Sequence, residues 1–263
     1  MKIYILADLE GISGIRKIEQ VITAGATPDY NHGCKLMMLE INQAVAGVIE
    51  GGATEVIVCD THGGGGQIKL EEMDPRAIYE TPACKMMMPS LDASFGGVIL
   101  LGHHAKAGTL NGFLDHTMDS SQWFEFRIND QVVGEIGFEA AWAGHFNVPV
   151  IMVSGDETTA HEARATLGEV ETAVVKWGIG RNRAKCLSLP QAHEIVRKTC
   201  AQAVRRAASK AFKPFKPALP GTIQLTLYRS DYADEYASKL GVTRVDARTI
   251  RRQVECWLDV VKW

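Results

Sequence analysis

The chain has 263 residues, of which 46% are hydrophobic and 22% are charged, and its formal net charge is −3. This length suits one large domain or one domain with a small appendage, and the lack of a basic block excludes a typical nucleic-acid-binding protein. No apolar stretch approaches the roughly 20 residues that cross a bilayer, and six cysteines without a Cys-x-x-Cys pair favour a cytoplasmic protein with reduced thiols.

Three short apolar runs in the first 104 residues predict buried strands of a largely parallel sheet. They cover residues 2–8, 54–60 and 97–102. Because the first strand begins at residue 2, we expect no signal peptide. Apolar residues at helical spacing over residues 30–50 predict a helix that connects the first two strands in a βαβ unit.

Strands and helices also alternate in the second half of the chain. The predicted elements are a strand (Trp123–Ile128), a helix or strand-to-helix transition (Val133–Phe146), a strand (Val148–Ser154), a helix (Glu157–Leu167) and an amphipathic helix over about residues 190–212. Such alternation is typical of α/β proteins. We therefore predict an α/β fold of three layers with a mixed, largely parallel sheet and a smaller α+β C-terminal part.

A proline-rich segment at residues 213–220 is the best candidate for a domain boundary, because proline stops helices and stiffens linkers. We predict a catalytic α/β domain over residues 1–212 and a small C-terminal part over residues 221–263. The predicted order in the C-terminal part is a strand (Thr222–Tyr228), a helix, a strand (Thr243–Thr249) and a helix (Arg251–Lys262).

Side chains that bind metals stand at or just after the ends of the first three predicted strands. These side chains are Asp8, Glu10, His62 and His104. Ligands of open α/β sheets collect beyond the carboxyl ends of the strands, so we expect the four to converge although they are far apart in sequence. Two carboxylates and two imidazoles at one sheet edge favour a metal site, and a hydrolase.

Each of these positions also allows a role without a metal. Asp8 and Glu10 share one face of an extended chain, where Asp8 either bridges two metal ions or caps a loop. His62 precedes the glycine run Gly63–Gly66 and is either a ligand or a histidine of a surface loop. Asp60 could orient an imidazole by a hydrogen bond.

Three further positions carry open alternatives. Neighbouring residues of a strand point to opposite faces, so only one of His103 and His104 reaches the site and the other is structural. His116 is either a general acid or base or an ordinary histidine. Glu135 stands in an apolar run and needs a partner, which is either a metal or an arginine.

Five motifs follow one another along the chain. They are Asp8-Leu-Glu-Gly-Ile-Ser-Gly14, Asp60-Thr-His62, Leu101-Gly-His-His-Ala-Lys106, His116-Thr-Met118 and Gly134-Glu-Ile-Gly137. This series resembles that of the DppA-type D-aminopeptidases, zinc metallopeptidases linked to dipeptide-transport operons, from residue 1 to about residue 186. The run Gly63–Gly66 departs from the polar segment of that family, and we expect it to widen the substrate pocket.

The resemblance implies a site and an activity. It implies two zinc ions per chain held by Asp8, Glu10, His62, His104 and Glu135. It also implies that His104 rather than His103 is the ligand and that His116 is the catalytic residue. The expected enzyme releases N-terminal, D-configured amino acids from short peptides or amides by metal-activated water. The resemblance further implies a homo-oligomer, a decamer of two pentameric rings.

Two other functions fit the residue pattern. A metal-dependent phosphoesterase would use similar ligands and would need Arg or Lys near the metals to hold phosphate. Lys106 is the only candidate close in sequence. A non-enzymatic module that binds a solute or a metal is the second alternative, and it would not need a spare histidine such as His116.

Overall fold

The computed structural model describes residues 1–22, 25, 27–82 and 87–260, and within them the chain forms twelve strands and five α-helices. The strands are β1 (Lys2–Ala7), β2 (Glu55–Asp60), β3 (Ile78–Glu80), β4 (Phe95–Leu101), β5 (Trp123–Ile128), β6 (Gln131–Val133), β7 (Val150–Asp156), β8 (Glu171–Gly180), β9 (Arg183–Cys186), β10 (Gly221–Leu227), β11 (Val242–Arg244) and β12 (Thr249–Val254). The helices are α1 (Pro28–Glu50), α2 (Glu135–His145), α3 (Glu157–Leu167), α4 (Leu189–Ala208) and α5 (Ser230–Ala237).

Seven strands form a largely parallel sheet in the order β3-β2-β1-β4-β7-β8-β9. The first six run parallel, and β9 pairs antiparallel with β8. Ala7 at the end of β1 lies opposite Asp60 of β2 and Leu101 of β4. The residues that follow these three strands therefore emerge at one edge of the sheet, as predicted.

Both faces of this sheet are covered, as continuously apolar strands require. Ile3 and Ile5 of β1 pack in one core with α1 and α4, whereas Tyr4 and Leu6 pack in a second core with α2 and α3. This alternation confirms the predicted α/β fold of three layers. No helix in the described part of the chain combines the length and apolar character needed to cross a membrane.

The second sheet is antiparallel, with the order β11-β12-β10-β5-β6. Its strands β10 to β12 come from the predicted C-terminal part, and β10 pairs directly with β5, Leu225 lying opposite Phe126. Leu225, Phe126 and Phe138 of α2 belong to the same buried core. One sheet therefore continues across the predicted boundary at residues 213–220.

The helix predicted over Arg251–Lys262 is wrong for residues 251–254, which belong to β12. Ile250 and Val254 are buried while Arg251 and Gln253 are exposed, and pairing with β10 selects this two-residue period. Residues 261 and 262 of that prediction lie outside the described residues, as do residues 83–86 of an apolar run over Ala83–Met88. The sequence patterns also missed β3, β6, β8 and β9. The predicted strand Thr243–Thr249 is wrong for residues 245–248, which belong to no strand and connect β11 to β12.

Candidate metal centre and its cavity

The loop after β1 packs tightly against the end of β4. The Gly11 N–H donates to the Gly102 carbonyl at 2.7 Å, and a Cβ atom at Gly11 would lie 2.0 Å from the backbone oxygen of His103. Only glycine fits such a close approach. The Thr61 N–H likewise donates to the Ala7 carbonyl at 2.9 Å, so the segments after β1, β2 and β4 meet at one edge.

Carboxylates and imidazoles are assembled at this edge. His62 Nδ1 lies 3.2 Å from Asp8 Oδ1 and 3.1 Å from Glu10 Oε2. His104 Nε2 lies 3.4 Å from Asp8 Oδ2 and 3.3 Å from Glu135 Oε1. Asp8 therefore stands between the two imidazoles with one oxygen toward each, and none of the five side chains is more than 12% exposed.

His116 joins the cluster through ring stacking. Its ring lies 3.9 Å from that of His104, centroid to centroid, with 13° between the two planes. His116 Nε2 lies 3.7 Å from Glu135 Oε1, and its side chain is 16% exposed, more than any of the other five. The structure thus brings all six residues singled out in the sequence to one place.

Backbone carbonyl groups orient all three imidazoles. A carbonyl oxygen only accepts, so the ring nitrogen next to it carries the proton. His62 Nε2 donates to Val21 O at 2.7 Å, and His104 Nδ1 donates to Ala105 O at 3.1 Å. His116 Nδ1 donates to Leu114 O at 2.9 Å. In each neutral ring, the nitrogen that faces the carboxylates is then the one with a free lone pair, which is how metal-binding histidines are held.

The cluster fits a metal cation on two further observations. Asp8 Oδ2 and His104 Nε2 are both buried without a hydrogen-bond partner, although such atoms normally have one. Among the described residues, two groups of three ligand atoms lie close enough to share an ion: Asp8, Glu10 and His104, and His104, His116 and Glu135. Carboxylate oxygens and imidazole nitrogens are the donors that Zn²⁺ takes in catalytic sites.

The charges of the cluster compensate one another. Burial opposes the charged form of His62, but Glu10 and Asp8 together raise the pKa of this imidazole to about 12. Burial likewise opposes ionisation of Glu135, yet His104 lowers the pKa of this carboxyl to about 2. The attraction between these groups raises the pKa of the imidazole and lowers that of the carboxyl, and a bound cation would satisfy the same carboxylates in place of an imidazole proton.

His103 forms a separate pair behind the cluster, as expected for the structural member of the two adjacent histidines. Its Nε2 lies 2.6 Å from Glu139 Oε2, and both side chains are almost completely buried. Burial opposes the charged form of His103, but Glu139 raises its pKa to about 9. Sequence patterns missed Glu139, which lies one helical turn after Glu135 on α2 and shares its face.

Asp60 does not orient an imidazole. Its Oδ2 accepts hydrogen bonds from the Gly66 N–H at 3.0 Å and the Gln67 N–H at 2.7 Å, and it anchors the glycine run Gly63–Gly66. All four glycines have positive φ, between 55° and 108°, a conformation that other residues rarely adopt. The run therefore keeps a defined shape beside His62, and the wider pocket expected from it stays a prediction.

Lys176 of β8 supports the loop that carries Glu10, and no motif pointed to it. Its buried ammonium group donates three hydrogen bonds, to the carbonyl oxygens of Glu10 at 2.8 Å, Ile12 at 2.7 Å and Ile15 at 2.9 Å. An ammonium has three donors, so all are used. The neighbouring Ser13 N–H donates to Glu40 Oε2 of α1 at 2.8 Å, which ties the same loop to the opposite side.

A cavity of about 430 Å³ opens onto the cluster. This volume lies in the range of small-molecule sites. Its charged walls include Asp8, Glu10, Glu135, Glu139 and Arg181, and its uncharged walls include Gly63, Gly64, Leu114, Met118 and Ser120. Lys106 does not line this cavity, and its Nζ lies 3.6 Å from Glu162 instead. Lys106, the lysine close in sequence to His103 and His104, is therefore not placed to hold a phosphate there.

Comparisons with known proteins find D-aminopeptidases. The sequence model of the peptidase M55 family, described as D-aminopeptidase, matches residues 1–263. A D-aminopeptidase of Bacillus subtilis (strain 168) is 33% identical over 258 residues, which cover 97% of this chain and 91% of that protein. The solved structure of the Zn-dependent D-aminopeptidase DppA from Bacillus subtilis, a self-compartmentalizing protease, is similar with a TM-score of 0.93. It is 30% identical, and the match covers 100% of this chain and 94% of that one.

Proposed function

The chain belongs to the peptidase M55 family of D-aminopeptidases, and from this premise we propose that it is a dinuclear zinc aminopeptidase acting on short peptides or amides. The observation that carries the proposal is the cluster of three carboxylates and three oriented imidazoles at the floor of a cavity. The similar DppA structure is Zn-dependent, which supports zinc as the metal.

Five residues would hold the two ions: Asp8, Glu10, His62, His104 and Glu135. Asp8 would serve both ions, because its two oxygens face different imidazoles. Bound zinc supplies a lowered pKa for water and polarisation of the scissile carbonyl group. Lys176 would hold the loop of Glu10, and the backbone carbonyl groups would hold the imidazole rings, before the metal binds. Less free energy is then lost in ordering these ligands when the metal binds.

His116 would transfer a proton to the leaving amine. Its Nδ1–H is held by the Leu114 carbonyl, so its Nε2 is the nitrogen that can take a proton and pass it to the leaving amine. Stacking on His104 would hold the ring in place, and Glu135 Oε1 would face Nε2 at 3.7 Å while the proton is on it. Leu114 and Met118 beside it exclude part of the water from the reacting bond.

We propose that the enzyme assembles into a homo-oligomer, with the decamer of two pentameric rings as the expected form. Support comes from the similar DppA, which is a self-compartmentalizing protease. The chain also exposes large apolar side chains, among them Leu240 (98% exposed), Leu110 (85%) and Ile179 (68%). Exposed apolar groups of this kind often lie in subunit contacts.

The test is a screen of matched D- and L-aminoacyl amides and dipeptides with zinc-loaded protein. We expect release of the N-terminal amino acid, faster from the D than from the L substrates, and loss of release after chelation that zinc restores. A phosphomonoester included in the screen tests the phosphoesterase alternative. Hydrolysis of the phosphomonoester alone, or of no substrate, would contradict the proposal.

Zinc binding is expected to release protons and to weaken as the pH falls. A histidine ligand must be neutral, whereas the metal-free His62 is protonated at pH 7 because Glu10 and Asp8 raise its pKa to about 12. Each displaced proton lowers the apparent affinity by about tenfold per pH unit below that pKa. Calorimetry in buffers of different ionisation enthalpy counts the protons. The variant His62→Gln should release fewer, and an unchanged count would remove His62 from the ligand set.

A further inference from the structure

Arg181 is the one lysine or arginine among the described residues that line the cavity. It lies in the turn between β8 and β9, and its side chain is 43% exposed. The other ionisable walls are the carboxylates Asp8, Glu10, Glu135 and Glu139 and the imidazoles of His62 and His116. The proposed function commits most of these groups to metal ions or to proton transfer, so Arg181 is the described cavity-lining side chain that offers a permanent positive charge to an anionic group of a ligand.

The position of Arg181 is set relative to His116. The Leu114 N–H donates to the Arg181 carbonyl at 2.7 Å, and Arg181 Nε donates to the Asp115 carbonyl at 3.3 Å. Arg181 Nε also lies 3.5 Å from Asp115 Oδ1. These three contacts attach the arginine to the two residues that precede His116, the group proposed to protonate the leaving amine.

The Nε contacts leave most of the guanidinium available. Within the described residues, neither Nη atom of Arg181 donates a hydrogen bond to the protein. A guanidinium has five N–H donors, and four of them belong to the Nη atoms. Two Nη groups side by side match the two oxygens of a carboxylate, which is the geometry for which arginine is preferred over lysine.

We propose that Arg181 binds the C-terminal carboxylate of the substrate and thereby selects dipeptides and other very short peptides. This inference rests on the proposed aminopeptidase function. When the bond being cleaved lies beside His116, the free carboxylate of a dipeptide is only one residue farther along, about 3.5 Å of extended chain. A guanidinium attached at residues 114 and 115 is suited to that distance, whereas a long peptide has no carboxylate there.

Two substrates that differ only in the terminal charge test the proposal. D-alanyl-glycine and D-alanyl-glycinamide present the same scissile bond, and only the first has a terminal carboxylate. The wild-type enzyme is expected to prefer the acid in kcat/KM by about tenfold, the effect of one charge-assisted bidentate contact at a partly exposed site. The preference should shrink at high ionic strength, because the contact is partly exposed to solvent.

Arg181→Gln should raise KM for D-alanyl-glycine by about tenfold and leave both constants for D-alanyl-glycinamide unchanged. Arg181→Lys should restore part of the preference, and Arg183→Gln is the matched control because Arg183 is exposed and does not line the cavity. Equal losses for both substrates in Arg181→Gln would make the arginine a support of the His116 loop and overturn the proposal. Equal hydrolysis of both substrates by the wild-type enzyme would also overturn the role of Arg181, but it would leave the proposed aminopeptidase function intact. Hydrolysis of neither substrate would reject both.

Discussion

Replacing Asp8 with asparagine is expected to remove most of the bound zinc and to lower kcat/KM by at least about 10³-fold, since a bound metal contributes several kcal/mol to such reactions. Among the described residues of the cluster, Asp8 is the one whose two carboxylate oxygens face different imidazoles, at 3.2 Å and 3.4 Å. The asparagine amide has the same size as the carboxylate, but it has one oxygen and no charge. It can therefore bind at most one metal ion, and it binds that ion weakly. Metal content by elemental analysis and kinetics under zinc-saturating conditions measure both effects.

The matched control for this variant is Asp92→Asn, which removes an exposed carboxylate outside the cluster. Circular dichroism should show that both variants keep the wild-type fold. The role of Asp8 is contradicted if Asp8→Asn still binds about two zinc ions per chain. Loss of only one ion would assign Asp8 to a single site rather than to a bridging position.

His116→Ala is expected to keep both zinc ions and to lower kcat by about 10² to 10⁴-fold, the usual contribution of a positioned proton-transfer group. The ring lies over His104 and bonds to the Leu114 carbonyl, but none of the five proposed ligands depends on it for orientation. Metal content and single-turnover kinetics separate the two effects. KM should change little, because the lost interaction belongs to the proton transfer.

His32→Ala, at an exposed position of α1, is the matched control and should behave as the wild type. His116 also forms a group with His104 and Glu135 that is compact enough to hold an ion. If His116→Ala loses zinc in proportion to activity, the residue is a ligand and the assignment of proton transfer to it fails. A variant that keeps zinc and full activity would exclude both roles.

The sequence predicted the site better than its surroundings for a physical reason. Asp8, His62 and His104 follow buried parallel strands. The carboxyl ends of parallel strands lie at one edge of the sheet, whatever path the connections between them take. His116 and Glu135 follow no such rule, because a loop and a helix start bring them to the edge. The family motifs, rather than strand patterns, pointed to them.

The supporting residues could not have been predicted in this way. Lys176 occupies a strand position where lysine is usually on the surface, and only the three carbonyl groups it meets explain its burial. Arg181 reaches the cavity through a turn, and no spacing in the chain marks it. Glu139 lies one helical turn after Glu135, and this spacing points to it only once Glu135 is placed in the site. The error over residues 251–254 has the same origin, since pairing with β10 decided the local structure.

The three hydrogen bonds of Lys176 also have a consequence for the order of events during synthesis. All five proposed ligands lie within the first 135 residues. Lys176, whose ammonium group binds the Glu10 carbonyl, follows Glu10 by 166 residues. A nascent chain that has been synthesised through Glu135 but not yet as far as Lys176 contains every proposed ligand but lacks the ammonium group that supports the loop of Glu10. In small zinc domains the metal itself drives folding. Here Lys176 can support the loop of Glu10 only once β8 has joined the sheet, so we expect the proposed zinc ions to bind after that step rather than to start folding.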